Sequence, residues 1–124
     1  MDLDEVIRAH ISWKRKLAAC LKKPGCPLKA AEVRADNRSE LGQWLHGEGR
    51  KFSLLPEYMT LVTLNARFHR AAAQIVEKVN GGMPIDEEAA FGSGSEFASA
   101  SRDVIAAITE LHNKVVARPV KSVA

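Results

Sequence analysis

The apolar residues between Pro56 and Val79 recur at steps of three and four, which is the period of a helix with one buried face. They are Tyr58, Leu61, Val62, Leu64, Phe68, Ala72, Ile75, Val76 and Val79. Asn65 and His69 fall on the same apolar stripe, one helical turn apart. Because an unpartnered polar group in a core costs roughly 1–3 kcal/mol, this pair is predicted to be hydrogen-bonded, to bind something or to line a cavity.

An earlier helix is predicted from about Asp2 to Lys22, because Asp2 and Glu5 have the spacing of a capping box. His10 lies on its apolar stripe and is predicted to point inward. Lys14 also falls near the stripe, so its ammonium is expected to reach solvent or to meet a carboxylate. A turn is predicted after the helix at Pro24, Gly25 and Pro27.

A shorter second helix is predicted to start near Asp36 or Asn37, since Asn37 and Glu40 repeat the capping-box spacing. Its inward residues are Leu41, Trp44 and Leu45, and Gly47 and Gly49 are predicted to end it. Residues 30–33 are predicted to add a turn before this helix. Pro56 then suits the first turn of the third helix, where its missing N–H costs nothing.

The third helix is predicted to end at Asn80, which is followed by two glycines. A fourth helix is predicted from about Asp86 to Ala117, with a kink or a frayed first half at residues 92–95, where the sequence is Gly-Ser-Gly-Ser. Its inner face is expected to contain Phe97, Ser101, Val104, Ile105, Ile108, Leu111 and Val115. These four helices predict an all-α fold, an antiparallel four-helix bundle with one short helix.

The chain has 124 residues, which suits one domain with one core. We expect a single domain over residues 1–117 and a flexible tail over residues 118–124. The net charge of +3 is spread along the chain and interleaved with acids, so nucleic acid is not an expected partner. No apolar run is long enough to span a membrane, and the acidic start lacks the features of a secretion signal, which predicts a cytoplasmic protein.

Cys20 and Cys26 are separated by five residues, a spacing that matches neither a zinc motif nor a redox motif. Both cysteines are therefore predicted to be free thiols. His46 and His112 belong to no motif and are predicted to be surface residues.

Three short segments together resemble the bacterial chemoreceptor zinc-binding domain. They are His10-Ile11-Ser12-Trp13-Lys14, then Ser39-Glu40-Leu41-Gly42-Gln43-Trp44-Leu45, then Asn65-Ala66-Arg67-Phe68-His69. The motifs of that family read His-x-x-Trp-Lys, Cys-x-Leu/Phe-Gly-x-Trp and His-x-x-Phe-His. The resemblance extends from about Val6 to Leu111, and it implies a four-helix bundle of the kind found in cytoplasmic chemoreceptors and attached to diguanylate cyclases.

In this family zinc is held by three histidines and the cysteine, and the resemblance places these ligands at positions 10, 39, 65 and 69. His10 and His69 are present as remnant ligands, whereas Ser39 stands at the cysteine position and Asn65 at the middle histidine position. A hydroxyl and an amide oxygen are much weaker zinc donors than a thiolate and an imidazole. The resemblance therefore implies that no cofactor is bound, or that zinc binds only weakly.

Three interpretations of this site remain open. In the first, His10, Ser39, Asn65 and His69 close a hydrogen-bonded polar cluster, with Trp13, Trp44 and Phe68 as its apolar wall. In the second, a weakly held metal is bound by His10 and His69, completed by water and Glu40. In the third, a small ligand occupies the space between these side chains.

Catalysis is not predicted, because no nucleophile elbow surrounds Ser39 and no residue is identified that would orient a histidine base. The resemblance implies a sensory or regulatory module of bacterial signal transduction, of the chemotaxis or cyclic-di-GMP type. Since the sequence contains only this domain, it is expected to act alone, through a signalling protein partner or through a homo-oligomer. The alternative is a metal-independent structural module for protein interaction.

Overall fold

The computed structural model describes residues 3–21, 28–83 and 85–123, with side chains described as far as Val115. These residues form an all-α fold, and no β-strand occurs among them. Its α-helices are α1 (Leu3–Leu21), α2 (Ala30–Arg34), α3 (Glu40–His46), α4 (Pro56–Asn80), α5 (Glu87–Phe91) and α6 (Glu96–Val123). A 3₁₀-helix, Glu48–Phe52, lies between α3 and α4.

The helix bounds follow the predicted pattern closely for α1 and α4. The apolar stripe of α4 is buried, with Phe68, Ala72 and Val76 completely enclosed. Pro56 occupies the first turn of α4, where its missing N–H costs nothing. The capping role predicted for Asp2 and the turn predicted at Pro24, Gly25 and Pro27 lie outside the described residues.

The start of the short helix was predicted wrongly. Its N-cap is Ser39, not Asp36 or Asn37, and the Ser39 hydroxyl accepts a hydrogen bond of 3.1 Å from the amide of Gly42. A serine side chain satisfies one of the unpaired amides at a helix start as well as asparagine does, so spacing alone did not separate the two. The turn predicted over residues 30–33 is the helix α2.

The predicted fourth helix is divided into α5 and α6. Asp86 caps α5 as expected, but the helix stops at Phe91 and α6 begins after Ser95. The hydroxyl of Ser95 accepts a hydrogen bond from the amide of Ala98, which starts the new helix. The helix α6 continues to Val123, beyond the predicted end at Ala117. The flexibility of residues 118–124 stays a prediction.

One hydrophobic core contains side chains from α1, α2, α3, α4 and α6. The helix α4 packs against α6 and α2, and α1 packs against α3 and α6. The predicted inner face of α6 is buried at Phe97, Ser101 and Val104, and Ile105 is half-buried. Among the described residues, no helix is both long and apolar enough to cross a membrane.

Candidate functional site

Asn65 and His69 are both enclosed on the inner face of α4, with only 1% and 2% of their surfaces exposed. The Asn65 side-chain amide (Nδ2) donates a hydrogen bond of 3.1 Å to the backbone carbonyl of Asp36. The His69 imidazole (Nδ1) donates one of 3.0 Å to the carbonyl of Val33. These two bonds attach the end of α2 and the segment after it to α4.

His10 is also buried, with 5% of its surface exposed, on the face of α1 that points into the core. Its Nε2 lies 3.0 Å from the hydroxyl oxygen of Ser101 on α6, which makes a hydrogen bond between the first and last helices. Sequence analysis placed Ser101 on the inner face of α6 but did not include it in the site. Ser101 could have been predicted as a site residue, because it is a polar residue on an apolar stripe, the same pattern that identified Asn65.

A cavity of about 260 Å³ lies beside these side chains. Three of the four predicted site residues, His10, Ser39 and His69, line it, whereas Asn65 does not. Its other lining residues are Ala9, Ser12, Trp13, Lys16, Arg38, Glu40, Leu41 and Phe68. The structure therefore brings His10, Ser39 and His69 to one cavity, and it places Glu40 at the same cavity.

The predicted hydrogen-bonded cluster of these four side chains does not form. His10 bonds to Ser101, Ser39 accepts from Gly42, and Asn65 and His69 donate to backbone carbonyls. The reason is that α2 and the residues after it bring two carbonyl groups against α4, and buried carbonyls need donors. The side chains satisfy this nearby backbone instead of one another.

Aromatic rings pack tightly around the two imidazoles. The ring of Trp13 packs on His69 with 4.8 Å between ring centroids, and the ring of Phe68 packs on His10 with 4.6 Å between centroids.

Trp44 is not part of this aromatic wall, contrary to prediction. It packs on Phe52 at 6.1 Å and lines a separate cleft of about 240 Å³. The backbone of Gly49 lies against the Trp44 ring, which holds that ring beside the 3₁₀-helix.

Burial keeps both histidines neutral at physiological pH. It lowers the pKa of His10 to about 4, with smaller contributions from the charges of Lys14 and His69. It also lowers the pKa of His69, against the opposing effects of the Val33 carbonyl and the charge of Asp36. Lys14 is half-buried, and burial together with the charge of Arg102 lowers its pKa. Neutral imidazole is the form that can bind a metal or accept a hydrogen bond.

The side-chain carbonyl oxygen of Asn65 (Oδ1) is enclosed and has no hydrogen-bond partner among the described residues. The amide is oriented by its bond to Asp36, so this oxygen cannot turn to a donor without breaking that bond. An unsatisfied buried acceptor of this kind costs roughly 1–3 kcal/mol. Asn65 thus carries an unfavourable polar group at the position where the resemblance implies a zinc ligand.

The donor set does not fit a tetrahedral zinc site with four protein ligands. Such sites use thiolate and imidazole donors, and here the thiolate is replaced by the Ser39 hydroxyl and one imidazole by the Asn65 amide. Within residues 3–21, 28–83 and 85–123, no three side chains of His, Cys, Asp or Glu come close enough together to hold a metal ion.

The remaining cysteine and histidine predictions have mixed outcomes. Cys20 is disulfide-bonded, so the prediction of a free thiol is wrong there, and Cys26 lies outside the described residues. A disulfide depends on the distance and orientation of two cysteines in the folded chain, and the spacing of cysteines along the sequence does not fix either. His46 is exposed, as predicted, and lies 3.5 Å from the carboxylate of Asp36. His112 is half-buried and lines the cleft at Trp44, so the prediction of a surface residue holds only in part.

Helices that pack around an inward-facing polar site, with the three motifs arranged along α1, α3 and α4, define a small helical domain with a buried polar site. The family model of the chemoreceptor zinc-binding domain matches residues 10–76, from His10 through Ser39, Asn65 and His69. The chain therefore belongs to the chemoreceptor zinc-binding domain family, which confirms the resemblance. No curated protein matches the chain significantly, and no solved structure matches it either.

Proposed function

We propose that this chain is a sensory or regulatory module of bacterial signal transduction, of the chemotaxis or cyclic-di-GMP type, whose zinc site is degenerate. The observation that carries the proposal is the pair of hydrogen bonds from Asn65 and His69 to the carbonyls of Asp36 and Val33. In the proposed module these bonds do the structural work that a metal would otherwise do. The domain then folds without metal.

The same bonds supply a route for a signal. His69 lines the cavity and also holds the end of α2, so a change at the cavity alters the attachment of α2 to α4. Ser39 lines the cavity and also caps α3, which connects the cavity to the start of the short helix. Occupation of the cavity is therefore proposed to change the packing of α2 and α3, and a signalling protein partner or a second copy of the chain reads that change.

The helical arrangement of the proposal is an antiparallel four-helix bundle formed by α1, α3, α4 and α6. It is supported by the packing of α4 along α6 and by the contacts of α1 with α3 and α6. Neither nucleic acid nor membrane is a proposed partner. A cytoplasmic location also belongs to the proposal, although the disulfide at Cys20 weighs against it, because disulfides are uncommon in reducing compartments.

The module is proposed to lack catalytic activity. The Ser39 hydroxyl contacts the Gly42 amide, and a serine nucleophile would need a base within hydrogen-bond distance. Turnover of a general esterase substrate that is lost in Ser39→Ala would contradict this part of the proposal.

Two measurements test the proposal. Elemental analysis of the purified protein should give far less than one zinc per chain, and a chelator should leave its thermal unfolding unchanged. Stoichiometric zinc that resists the chelator would contradict the degenerate site.

Binding of the chain to each chemotaxis and cyclic-di-GMP protein of the same genome should identify a partner. If the chain binds none of these proteins and also has a monomeric mass, output through a partner or a second copy is contradicted.

A weak zinc site on His10 and His69, completed by water, is the second candidate. It is supported by the position of both imidazoles on one cavity and by their neutral state. Glu40 lines the same cavity, but among the described residues it does not form a three-ligand group with the two histidines. Zinc titration separates the two candidates, since zinc binding that is lost in His69→Gln would favour the weak site.

A further inference from the structure

We propose that the cavity between His10, Ser39 and His69 binds a small organic carboxylate whose body carries a hydrogen-bond donor, instead of a divalent cation. This inference rests on the proposed function, because it names the ligand class to which the module responds. It follows from the hydrogen-bonding groups, the charges and the walls of the cavity.

The first group is the imidazole of His69. Its Nδ1 donates to the Val33 carbonyl, so in the neutral ring Nε2 carries no proton and can only accept. Nε2 makes no hydrogen bond to a described residue. It is not fully enclosed by protein atoms either. His69 lines the cavity, and Nε2 is its one ring nitrogen left for a ligand. A ligand must therefore bring a donor to this position.

The second group is the hydroxyl of Ser39. Its oxygen accepts the amide N–H of Gly42, and its own proton makes no hydrogen bond to a described residue. Ser39 lines the same cavity as His69. A carboxylate oxygen would accept this proton. The cavity thus offers an acceptor and a donor to one ligand.

The charges around the cavity favour an anion. Lys16 and Arg38 line it, and neither forms an ion pair with a described residue. The charge of Lys14 acts on His10 from the same helix. Against these three cations stand Glu40 in the lining and Asp36, which lies 3.5 Å from His46. A net positive rim attracts carboxylates and disfavours a divalent cation.

The walls define the body of the ligand. Trp13, Phe68 and Leu41 line the cavity, and its volume of about 260 Å³ lies just below the range of about 300–1,000 Å³ for ordinary small-molecule pockets, which limits the ligand to a small body such as one ring. Aromatic rings pack well against Trp and Phe side chains in offset or edge-to-face arrangements. A hydroxylated aromatic carboxylate satisfies the three requirements of a donor, an anionic group and an apolar body.

The test uses para-hydroxybenzoate as the probe, titrated into the metal-free full chain by isothermal calorimetry, with NMR signals of the Trp13 indole and the His69 ring recorded alongside. Binding at one site with shifts of both signals is expected. Benzoate lacks the hydroxyl that would donate to His69 and should bind at least about tenfold more weakly. Inorganic phosphate should displace little of the probe, and displacement equal to that by benzoate would show a simple anion site and overturn the proposal.

Two double variants test the role of the charges. Lys16→Ala with Arg38→Ala removes the two cations that line the cavity, and Lys29→Ala with Arg50→Ala is the control that removes two cations elsewhere. All four side chains are exposed, so neither pair is expected to disturb folding. The first pair should weaken binding at least about tenfold, and the second pair should leave it unchanged. No binding, or equal binding by both pairs, would overturn the proposal. This result is separate from the proposed function, which is tested by zinc content and by partner binding.

Discussion

The His69 imidazole donates a hydrogen bond of 3.0 Å to the backbone carbonyl of Val33, a residue 36 positions earlier in the chain. The bond fixes which ring nitrogen carries the proton, and it attaches α2 to the middle of α4. One turn earlier on α4, Asn65 makes the equivalent bond to Asp36. The two residues that are polar on an apolar stripe are therefore the two that hold the preceding segment in place.

Replacing Asn65 by alanine tests this attachment. The Asp36 carbonyl would lose its donor, while the unsatisfied Oδ1 of Asn65 would be removed as well and would offset part of the loss, so Asn65→Ala should lower the free energy of unfolding by about 1 kcal/mol. Hydrogen exchange at residues 33–39 should also become faster. The control is Gln74→Ala, which changes an exposed polar residue of the same helix and should alter stability by less than about 0.5 kcal/mol. Equal stabilities of the two variants in urea unfolding would show that the bond to Asp36 is not stabilising.

The close approach of Gly42 to the preceding segment gives a second prediction. A Cβ atom at this position would clash with the Asp36 carbonyl oxygen, and backbone atoms cannot move aside as a flexible side chain can. Gly42→Ala should therefore destabilise the domain by about 3 kcal/mol or more. Gly94→Ala is the control, because a Cβ there meets nothing within 4 Å. The melting temperatures of both variants are measured by thermal unfolding. Similar melting temperatures of Gly42→Ala and Gly94→Ala would refute the close contact.

Stability should depend on pH through His10. The pKa of His10 is about 4 in the folded chain and 6.5 when exposed, so the unfolded state binds a proton first as the pH falls. The free energy of unfolding has its full value, as far as His10 is concerned, above about pH 6.5. It decreases progressively toward pH 4, by about 3 kcal/mol in total. The lowered pKa of His69 acts in the same direction. Urea unfolding between pH 7 and pH 5 measures the effect above the range in which carboxylates titrate.

Two variants identify the source of that pH dependence. His10→Gln should give a shallower decrease of stability between pH 7 and pH 5, because the titrating ring is gone. Gln74→Ala removes no titrating group and should keep the decrease of the unmodified protein. A decrease that is the same in His10→Gln would show that another group is responsible.

Restoring the family's zinc ligands is the fourth prediction. Ser39→Cys with Asn65→His returns a thiolate and an imidazole to the positions beside His10 and His69. Without metal the double variant should be less stable than the unmodified protein, because the bond from Asn65 to Asp36 is lost. Zinc should more than reverse this loss, since a ligand that binds only the folded state stabilises it. Thermal unfolding with and without zinc, and competition with a chelator, measure both effects. Equal zinc affinity of the two proteins would mean that Ser39 and Asn65 are not at the ligand positions.

The sequence by itself determined which faces of α1, α4 and α6 are buried. It also determined that His10, Asn65 and His69 point inward, because helical periodicity is a local property that a window of about 11–18 residues expresses. The three motifs sufficed to identify the family. Local signals were weaker for the start of α3, where Ser39 and Asn37 are chemically similar caps. The sequence did locate the interruption at residues 92–95, although it predicted a kink or a frayed half and the structure has two separate helices there.

Only the tertiary structure decided what each inward side chain touches. The partners of Asn65 and His69 are backbone carbonyls of a segment about 30 positions away, and every residue has such a carbonyl, so no side-chain pattern could reveal them. The same holds for Ser101 as the partner of His10 and for the separation of Trp44 from the site. Which cations surround the cavity was also decided by packing, because Lys16 and Arg38 belong to segments that meet only when α1 and α3 come together.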